Sequence, residues 1–215
     1  MLENVDWLGH ASFRIMADLI VYVDPWKIND DILADVIFIT HDHYDHCSPV
    51  DIQKISKEDT IIIAPADSAE KLKLLGLNVM IIEPQEKYEV KGIPFKTIRA
   101  YNKHKDYHPK KNDWVGYVID ILGENLYFAG DTDYIHEMRN LGEISIAFLP
   151  ITGEYTMDVD EAVKATLDIH PKYVVPMHYG DFIGGLDEAK DFASMVERED
   201  PSIEVVIKEA EYGRE

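Results

Sequence analysis

The chain has few of the features that mark secreted, membrane-spanning or nucleic-acid-binding proteins. A single cysteine, Cys47, stands among the 215 residues, so no disulfide can form within the chain. The opening MLENVDWLGH has neither a basic segment nor a long apolar one. No stretch approaches the roughly 20 apolar residues that a membrane-spanning helix needs. We therefore expect a cytoplasmic protein that does not enter membranes.

Basic residues are also scarce. Lysine and arginine together number 21, against 41 aspartates and glutamates, and the formal net charge is -20 at pH 7. This charge repels phosphate backbones and anionic lipid surfaces, so the composition argues against nucleic-acid and membrane partners. An anionic small-molecule substrate would need a strong local cation, and a bound metal ion can supply one.

Apolar segments punctuated by turn residues predict many strands with interspersed helices. Strands are expected at NVDWLG, ASFRIM, LIVYVD and ADVIFIT, and later at NLYFAGD, SIAFLP, YVVPMH and SIEVVI. Helical spacing occurs in SPVDIQKISK, DSAEKLKLLG, DVDEAVKATLDI and LDEAKDFASMVER. Asp67 or Ser68 is the expected N-cap of the second helix and Gly76 its end. The length suits one domain, residues 1–215, with two small domains as the alternative, and the pattern indicates two packed sheets with outer helices.

Polar residues cluster where the predicted strands end. HDHYDH, residues 41–46, directly follows ADVIFIT, and GDTD and HYGD each follow another strand. In an extended segment His41 and His43 face the same side and can bind one ion, while Asp45 and His46 are close enough to reach a second. Imidazole and carboxylate ligands suit zinc, iron or manganese. A solvated loop is the alternative, but this many titratable groups beside a core are costly to hold without a cation.

The motif resembles the H-x-H-x-D-H signature of the metallo-β-lactamase superfamily, and the resemblance runs over nearly the whole chain. Asp24 in YVDP, Asp131 in AGDT and His178 in PMHYG follow in the family's order. The opening WLGHASFRI and the loop AYNKHKDYHPKKNDWVGY are similar to the small metal-dependent hydrolases related to L-ascorbate-6-phosphate lactonase. The resemblance implies an α+β fold, a four-layer αββα sandwich of two mixed β-sheets with helices on the outer faces.

The resemblance also implies a site for two divalent metal ions. The ligands that it implies are His41, His43 and a middle-loop histidine for the first ion, Asp45, His46 and His178 for the second, and Asp131 as the bridge. Flavo-diiron relatives carry a glutamate at position 43, where this chain has a histidine. The histidine favours zinc, with manganese or iron in a hydrolytic role as alternatives.

The middle-loop ligand has two candidates. HPKKNDWVGY resembles the family pattern best at His108, which is our first choice, and His104 is the alternative. Asn102 occupies a position where some relatives have their histidine, so the alignment of this loop stays open.

Two ions about 3.5 to 4 Å apart can hold a bridging hydroxide and polarise a carbonyl or phosphoryl oxygen, which gives hydrolysis without a protein nucleophile. Asp45 is a candidate proton acceptor. The resemblance to relatives with the opening GHAS implies that His10 lies near the metal centre and contacts the substrate or a metal ligand, with a structural hydrogen bond as the alternative. Tyr179 and Tyr44 are candidate hydrogen-bond donors to a developing oxyanion, with packing as the alternative.

The remaining polar residues have plainer expected roles. Asp24 is expected to orient a ligand histidine through the second ring nitrogen, with a turn before Pro25 as the alternative. Lys105 and Lys110 are expected to be solvated, with binding of an anionic substrate group as the alternative. Structural or surface roles are expected for Cys47, Thr132, Asp133, His136 and His170.

The sequence therefore predicts a dinuclear metal-dependent hydrolase acting on a small ester, lactone or phosphoester. An RNA-processing nuclease of the same superfamily and a non-catalytic metal-binding protein are the alternatives. The expected partner is a small-molecule substrate. Both an anionic and a neutral substrate are compatible with this prediction. The substrate itself and the oligomeric state are left open, because pocket-lining loops decide the first and one sequence does not reveal the second.

Overall fold

The structure, a computed structural model, describes residues 1–29, 31–181 and 183–211. The chain divides into two compact units. The first contains Met1–Glu83 and the described residues from Glu209 onwards, and the second contains Pro84–Lys208. The prediction of one domain over residues 1–215 stays a prediction. Among the described residues, no helix has the length and apolar character needed to cross a bilayer.

The first unit is built on a six-stranded mixed sheet whose strands lie in chain order. Its strands are β1 (Val5–Gly9), β2 (Ser12–Met16), β3 (Ile20–Val23), β4 (Ala34–Phe38), β5 (Ser56–Ala64) and β6 (Val79–Ile81). The pairs β1–β2 and β2–β3 are antiparallel, while β3–β4, β4–β5 and β5–β6 are parallel. Helices α1 (Pro49–Ile55) and α2 (Ala66–Lys73) belong to the same unit. Their buried residues Ile52, Ile55 and Leu72 join one apolar cluster with Ile37 and Ile62 of the strands.

Helix boundaries in this unit follow local chemistry, with two departures from expectation, both in α2. This helix ends at Lys73, three residues before the expected Gly76, which lies in the turn that follows. Ser48 caps α1 by accepting a hydrogen bond from the backbone N–H of Asp51. Helix α2 begins after Pro65, which offers no side-chain acceptor, so the expected caps Asp67 and Ser68 are wrong. Both lie inside the first turn of the helix, where the Ser68 N–H donates to the Asp67 carboxylate.

The second unit is built on a seven-stranded mixed sheet in the order β13-β12-β11-β10-β9-β8-β7. Its strands are β7 (Lys87–Val90), β8 (Ile93–Arg99), β9 (Val115–Ile121), β10 (Glu124–Phe128), β11 (Ile146–Pro150), β12 (Tyr173–Met177) and β13 (Glu204–Val205). Strands β7 to β10 pair antiparallel, and β10 to β13 pair parallel. Helices α3 (Val159–Ile169) and α4 (Leu186–Glu199) complete the unit. The last strand is shorter than SIEVVI predicts.

Strand direction determines where the polar segments lie in each unit. In the first, β3 and β4 are parallel, so Asp24 and the HDHYDH motif emerge at the same edge of the sheet. In the second, β10, β11 and β12 are parallel, so Asp131, Thr152 and His178 emerge together at one edge. The carboxyl ends of parallel strands thus gather the polar residues. The predicted α+β class with two mixed sheets is confirmed.

Candidate functional site

The HDHYDH motif follows β4 after Ile39 and Thr40 and brings two imidazoles together. His41 Nε2 lies 3.1 Å from His43 Nδ1. Two nitrogen ligands of a tetrahedral zinc ion, each about 2.0 to 2.1 Å from the metal, lie about 3.3 Å apart. The pair therefore has the spacing of two ligands of one ion.

Asp24 holds two of the motif's histidines in fixed tautomers. Its Oδ2 accepts hydrogen bonds from His46 Nδ1 at 2.8 Å and from the Thr40 hydroxyl at 2.6 Å. The Thr40 hydroxyl, having donated its proton to Asp24, accepts from His41 Nδ1 at 2.9 Å. This network assigns the ring proton of both His41 and His46 to Nδ1. Their Nε2 atoms are left as lone-pair donors, which is the form that binds a metal.

The Asp24 carboxylate that holds these histidines is buried within the first unit, and the residue is 1% exposed. Burial raises the pKa of its carboxyl, while the charge of His46 and the hydrogen bonds from His46 and Thr40 act in the opposite direction. The Thr40 backbone N–H also donates to Asp24 Oδ1 at 2.8 Å. The expected orienting role of Asp24 therefore matches its contacts.

His10 contacts the carboxylate of the motif. It lies in the turn between β1 and β2, and its Nε2 is 3.0 Å from Asp45 Oδ2. The same oxygen lies 3.9 Å from His46 Nε2. The His10 ring packs edge-on against Trp26 with 5.2 Å between centroids, and the residue is 1% exposed. His10 is thus fixed beside the predicted ligand Asp45 rather than in an unrelated part of the core.

Three site residues adopt the left-handed backbone region that favours glycine. The φ angles are 52° at His10, 46° at Asp24 and 62° at His178. Such conformations cost free energy for residues with a Cβ, and they cluster at functional sites where surrounding contacts hold them. Each of the three ends a strand and turns its side chain into a polar cluster.

The second unit has a polar cluster of its own, centred on Asp131 after β10. Asp131 Oδ2 lies 3.0 Å from His178 Nε2 and 3.3 Å from His108 Nε2. His108 Nδ1 donates to the Asn102 side-chain oxygen at 3.0 Å, and His178 Nδ1 lies 3.4 Å from the Thr152 hydroxyl. Both Nε2 atoms therefore face one carboxylate oxygen while the opposite nitrogen of each ring is held by an oxygen.

The two candidates for the middle-loop ligand lie in different environments. His108 is 1% exposed and contacts Asp131, whereas His104 is exposed. Asn102 is 7% exposed and accepts hydrogen bonds from both the backbone N–H and Nδ1 of His108, each at 3.0 Å. The geometry favours His108, with Asn102 as its hydrogen-bond acceptor.

Lys105 has a different environment from the solvated one expected of it. Its Nζ donates to Asp133 Oδ1 and to the Thr156 carbonyl, each at 2.6 Å. Burial alone would raise the pKa of Asp133. The hydrogen bonds from Lys105, from the Lys103 N–H and from Asn102 outweigh this, and the pKa lies below its usual value. Lys105 is therefore committed to an ion pair within its own unit, because a half-buried carboxylate lies within its reach. Thr132 lies in the same loop after β10, where its hydroxyl is 2.8 Å from the Asp133 carbonyl and 3.2 Å from the Tyr101 carbonyl.

The other candidates divide between buried and exposed positions. Tyr179 is buried beside His178, whereas Tyr44 is 67% exposed, with its ring centroid 6.0 Å from that of Trp26. Lys110 pairs with Glu137 at 3.3 Å. The two helix-associated histidines, His136 and His170, are exposed. Their positions match the surface roles expected of them.

Cys47 is a small buried side chain, as expected. It is 1% exposed, and burial raises the pKa of its thiol to about 12. It packs in the apolar cluster of the first unit with Ile39 and Ile52. A neutral thiol in such surroundings neither ligates a metal readily nor acts as a nucleophile.

The donor set of each cluster fits divalent metal ions. Ring nitrogens with their lone pairs fixed outward stand beside carboxylate oxygens, and this combination needs a cation or a proton to balance it. Imidazole and carboxylate without thiolate suit zinc, manganese or iron. The hydrogen-bond acceptors at Nδ1, supplied by Asp24, Thr40 and Asn102, are the outer partners that metal-binding histidines require.

Comparison with known proteins agrees with this donor chemistry. A model of the beta-lactamase superfamily domain matches residues 4–178. The UPF0173 metal-dependent hydrolase of Thermoplasma volcanium is 38% identical over 192 residues, which cover 83% of this chain and 84% of that protein. The chain therefore belongs to the beta-lactamase superfamily, in the group of UPF0173 metal-dependent hydrolases.

Solved structures support the fold. The crystal structure of a candidate metal-dependent hydrolase from Parabacteroides distasonis has a TM-score of 0.83 and 35% identity, covering 95% of this chain and 91% of that one. A metallo-beta-lactamase superfamily protein of Thermotoga maritima, 20% identical, has a TM-score of 0.62, covering 89% and 84%. The expected metallo-β-lactamase fold is confirmed. The narrower resemblance to L-ascorbate-6-phosphate lactonase stays a prediction.

Proposed function

We propose that this protein is a hydrolase that uses two divalent metal ions to cleave a small ester, lactone or phosphoester. The proposed ligands are His41, His43, Asp45, His46, His108, Asp131 and His178. One observation carries the proposal: three buried histidines, His41, His46 and His108, each donate Nδ1–H to an oxygen acceptor, which leaves Nε2 as the metal-binding atom. Relatives whose names describe metal-dependent hydrolases support it.

When bound, divalent ions lower the pKa of water towards neutrality and polarise a carbonyl or phosphoryl oxygen. The chain's own residues then have separate tasks. Asp24, Thr40 and Asn102 keep the rings of His41, His46 and His108 in one tautomer and orientation, and the Thr152 hydroxyl lies beside His178 Nδ1. Zinc is the proposed metal because the ligands are mainly imidazoles, with manganese or iron as alternatives.

Proton transfer is assigned to Asp45 and His10. His10 Nε2 lies 3.0 Å from Asp45 Oδ2, so a proton that Asp45 takes from the attacking water can pass across this contact to His10. Tyr179 is proposed to donate a hydrogen bond to the substrate. An anionic substrate group is part of the proposal because bound cations would offset the net charge of -20 that otherwise repels it.

A hydrolysis panel tests the proposed function. Protein loaded with zinc or manganese is assayed against aryl esters, lactones and phosphodiesters, beside chelator-treated protein and Asp131→Asn. We expect hydrolysis of at least one class by the loaded protein, and loss of that activity after chelation and in the variant. Inactivity of fully loaded protein against every class would contradict the proposal.

A further inference from the structure

We infer that Asn102, Asp133 and Lys105 form a positioning unit that holds His108 in the tautomer and orientation needed to bind metal. The inference deepens the proposed function, on which its metal-binding part rests. It also assigns Lys105 a role inside the protein instead of a contact with substrate.

Asn102 is the centre of this unit, and all of its polar side-chain atoms are used. Its Oδ1 accepts from the His108 N–H and from His108 Nδ1, each at 3.0 Å. Its Nδ2 donates to Asp133 Oδ1 and to the Tyr155 carbonyl, each at 2.9 Å. The amide orientation follows from these partners, since a flipped amide would aim its N–H₂ at the His108 N–H and its oxygen at Asp133.

The amide acceptor selects one tautomer of His108. An amide oxygen accepts a hydrogen bond only from a protonated ring nitrogen, so the proton lies on Nδ1. The lone pair is then on Nε2, which faces Asp131 Oδ2 at 3.3 Å. Removal of the amide oxygen would allow the opposite tautomer and a rotated ring.

Asp133 and Lys105 hold the amide from the other side. Asp133 Oδ1 accepts from Asn102 Nδ2, and its Oδ2 accepts from the Lys103 N–H at 2.7 Å. Lys105 Nζ lies 2.6 Å from Asp133 Oδ1 and fixes that carboxylate. The chain of contacts runs from Lys105 through Asp133 and Asn102 to His108, with charge-assisted hydrogen bonds at its outer end.

The backbone closes the same loop. The Asn102 N–H donates to the His108 carbonyl at 2.8 Å, while the Asn102 side chain accepts from the His108 N–H at 3.0 Å. These two hydrogen bonds close the loop at its base, and the exposed residues lie between the two bonded positions. Positions 102 and 108 are held together irrespective of where residues 103, 104, 106 and 107 point.

The first test is zinc affinity, measured by competition with a chromophoric chelator. Lys105→Met keeps the aliphatic stem and removes the charge that holds Asp133, and Asn102→Leu removes both hydrogen-bonding ends of the amide. Changes in outer partners of metal ligands typically cost about ten- to a hundredfold in affinity, and we expect a loss in this range in both variants for the ion that His108 would bind. Lys110→Met is the matched control, because Lys110 pairs with Glu137 outside the unit, and its affinity should be unchanged.

A double-mutant cycle separates positioning from general destabilisation. If Lys105 acts through His108, then Lys105→Met should have no further effect on zinc affinity in a His108→Ala background. Equal losses in both backgrounds, or an unchanged affinity in the single variants, would overturn the inference. The visible spectrum of the cobalt(II)-loaded protein should change in Asn102→Leu and not in Lys110→Met.

The tautomer of His108 in metal-free protein gives a readout that does not depend on the proposed function. Long-range ¹H–¹⁵N correlation spectra should show Nδ1 protonated in the natural protein and a mixture of tautomers in Asn102→Leu. Nδ1 protonation that persists in Asn102→Leu would overturn the inference even if the protein is an active hydrolase. A tautomer shift in a protein that binds no metal would instead uphold the positioning unit and refute the proposed function.

Discussion

The Asp24 carboxylate holds His46 directly, through a 2.8 Å hydrogen bond to Nδ1, and holds His41 indirectly through the Thr40 hydroxyl. One buried carboxylate thus sets the tautomer of two imidazoles in the HDHYDH motif. The backbone of Asp24 supports this placement, since its N–H donates to the Phe38 carbonyl at the end of β4. The orientation of the motif depends on a residue 17 positions before it begins.

Asp24→Asn tests this dependence. An asparagine presents an N–H₂ group to donors that formerly shared two carboxylate oxygens, so one buried donor loses its acceptor. We expect the free energy of unfolding to fall by about 1 to 3 kcal/mol and zinc affinity to fall about ten- to a hundredfold. Denaturant titration of metal-free protein and chelator competition measure the two effects. Asp18→Asn, at an exposed position of the same unit, is the control and should change neither quantity.

His10→Ala tests the proposed proton-transfer role beside Asp45. Because general acid–base groups contribute about 10² to 10⁴ in rate, we expect kcat to fall within that range on whichever substrate class the panel identifies. Metal content should stay unchanged, since His10 is not among the proposed ligands. His136→Ala, an exposed histidine outside both clusters, serves as the comparison. An unchanged kcat in His10→Ala would contradict the proton-transfer role and would show that the His10–Asp45 contact is a structural hydrogen bond.

Gly116→Ala tests the packing of β9 against β10. A Cβ at this position would lie 2.6 Å from the Phe128 carbonyl oxygen and 2.7 Å from that of Ala129, and both are backbone atoms that cannot rotate away. We expect a destabilisation at or above the upper end of the usual overpacking range of about 1 to 3 kcal/mol. Gly123→Ala has no atom within 4 Å of its Cβ, although its φ is +81°. Its backbone strain should cost only about 1 to 2 kcal/mol, and equal losses in the two variants would contradict this account.

Thiol reactivity tests the burial of Cys47. The side chain is 1% exposed, so a disulfide reagent such as Ellman's should modify no thiol in the folded protein and one per chain in denaturant. Cys47→Ala should retain metal content and hydrolytic activity, with a modest loss of stability from the removed sulfur atom. Rapid modification of the folded protein at neutral pH would place the thiol at an accessible position and would reopen a chemical role for it.

Local signals predicted the parts of the site that depend on sequence spacing. His41 and His43 were expected to face the same side of an extended segment, and their nitrogens do lie 3.1 Å apart. The backbone is not extended, however, because residues 42–46 form a bend and a turn in which the His46 N–H donates to the His43 carbonyl. Asp24 was expected to orient a histidine because the family resemblance includes an aspartate at the end of an early strand and metal-bound imidazoles usually need an outer partner. Strands β1 to β4 and helices α3 and α4 also follow from apolar periodicity and turn residues.

Hydrogen-bond partners supplied by tertiary structure were not predictable in the same way. Thr40 and Thr152 each hold a ring nitrogen, and nothing in their neighbouring sequence distinguishes them from other threonines at strand ends. Lys105 in a polar loop resembles any solvated lysine until Asp133 is brought within 2.6 Å of it. The expected cap of α2 failed for a related reason, because the helix starts one residue before Asp67.

Metal content per chain tests the central claim most directly. Protein purified without chelator is measured by elemental analysis beside His108→Ala, His104→Ala and Asp131→Asn, each checked for folding by circular dichroism. We expect about two ions per chain in the natural protein and in His104→Ala, because His104 is exposed, and fewer than two in His108→Ala and Asp131→Asn. No bound ion after reconstitution with zinc, manganese and iron, or a loss in His104→Ala that equals the loss in His108→Ala, would contradict it.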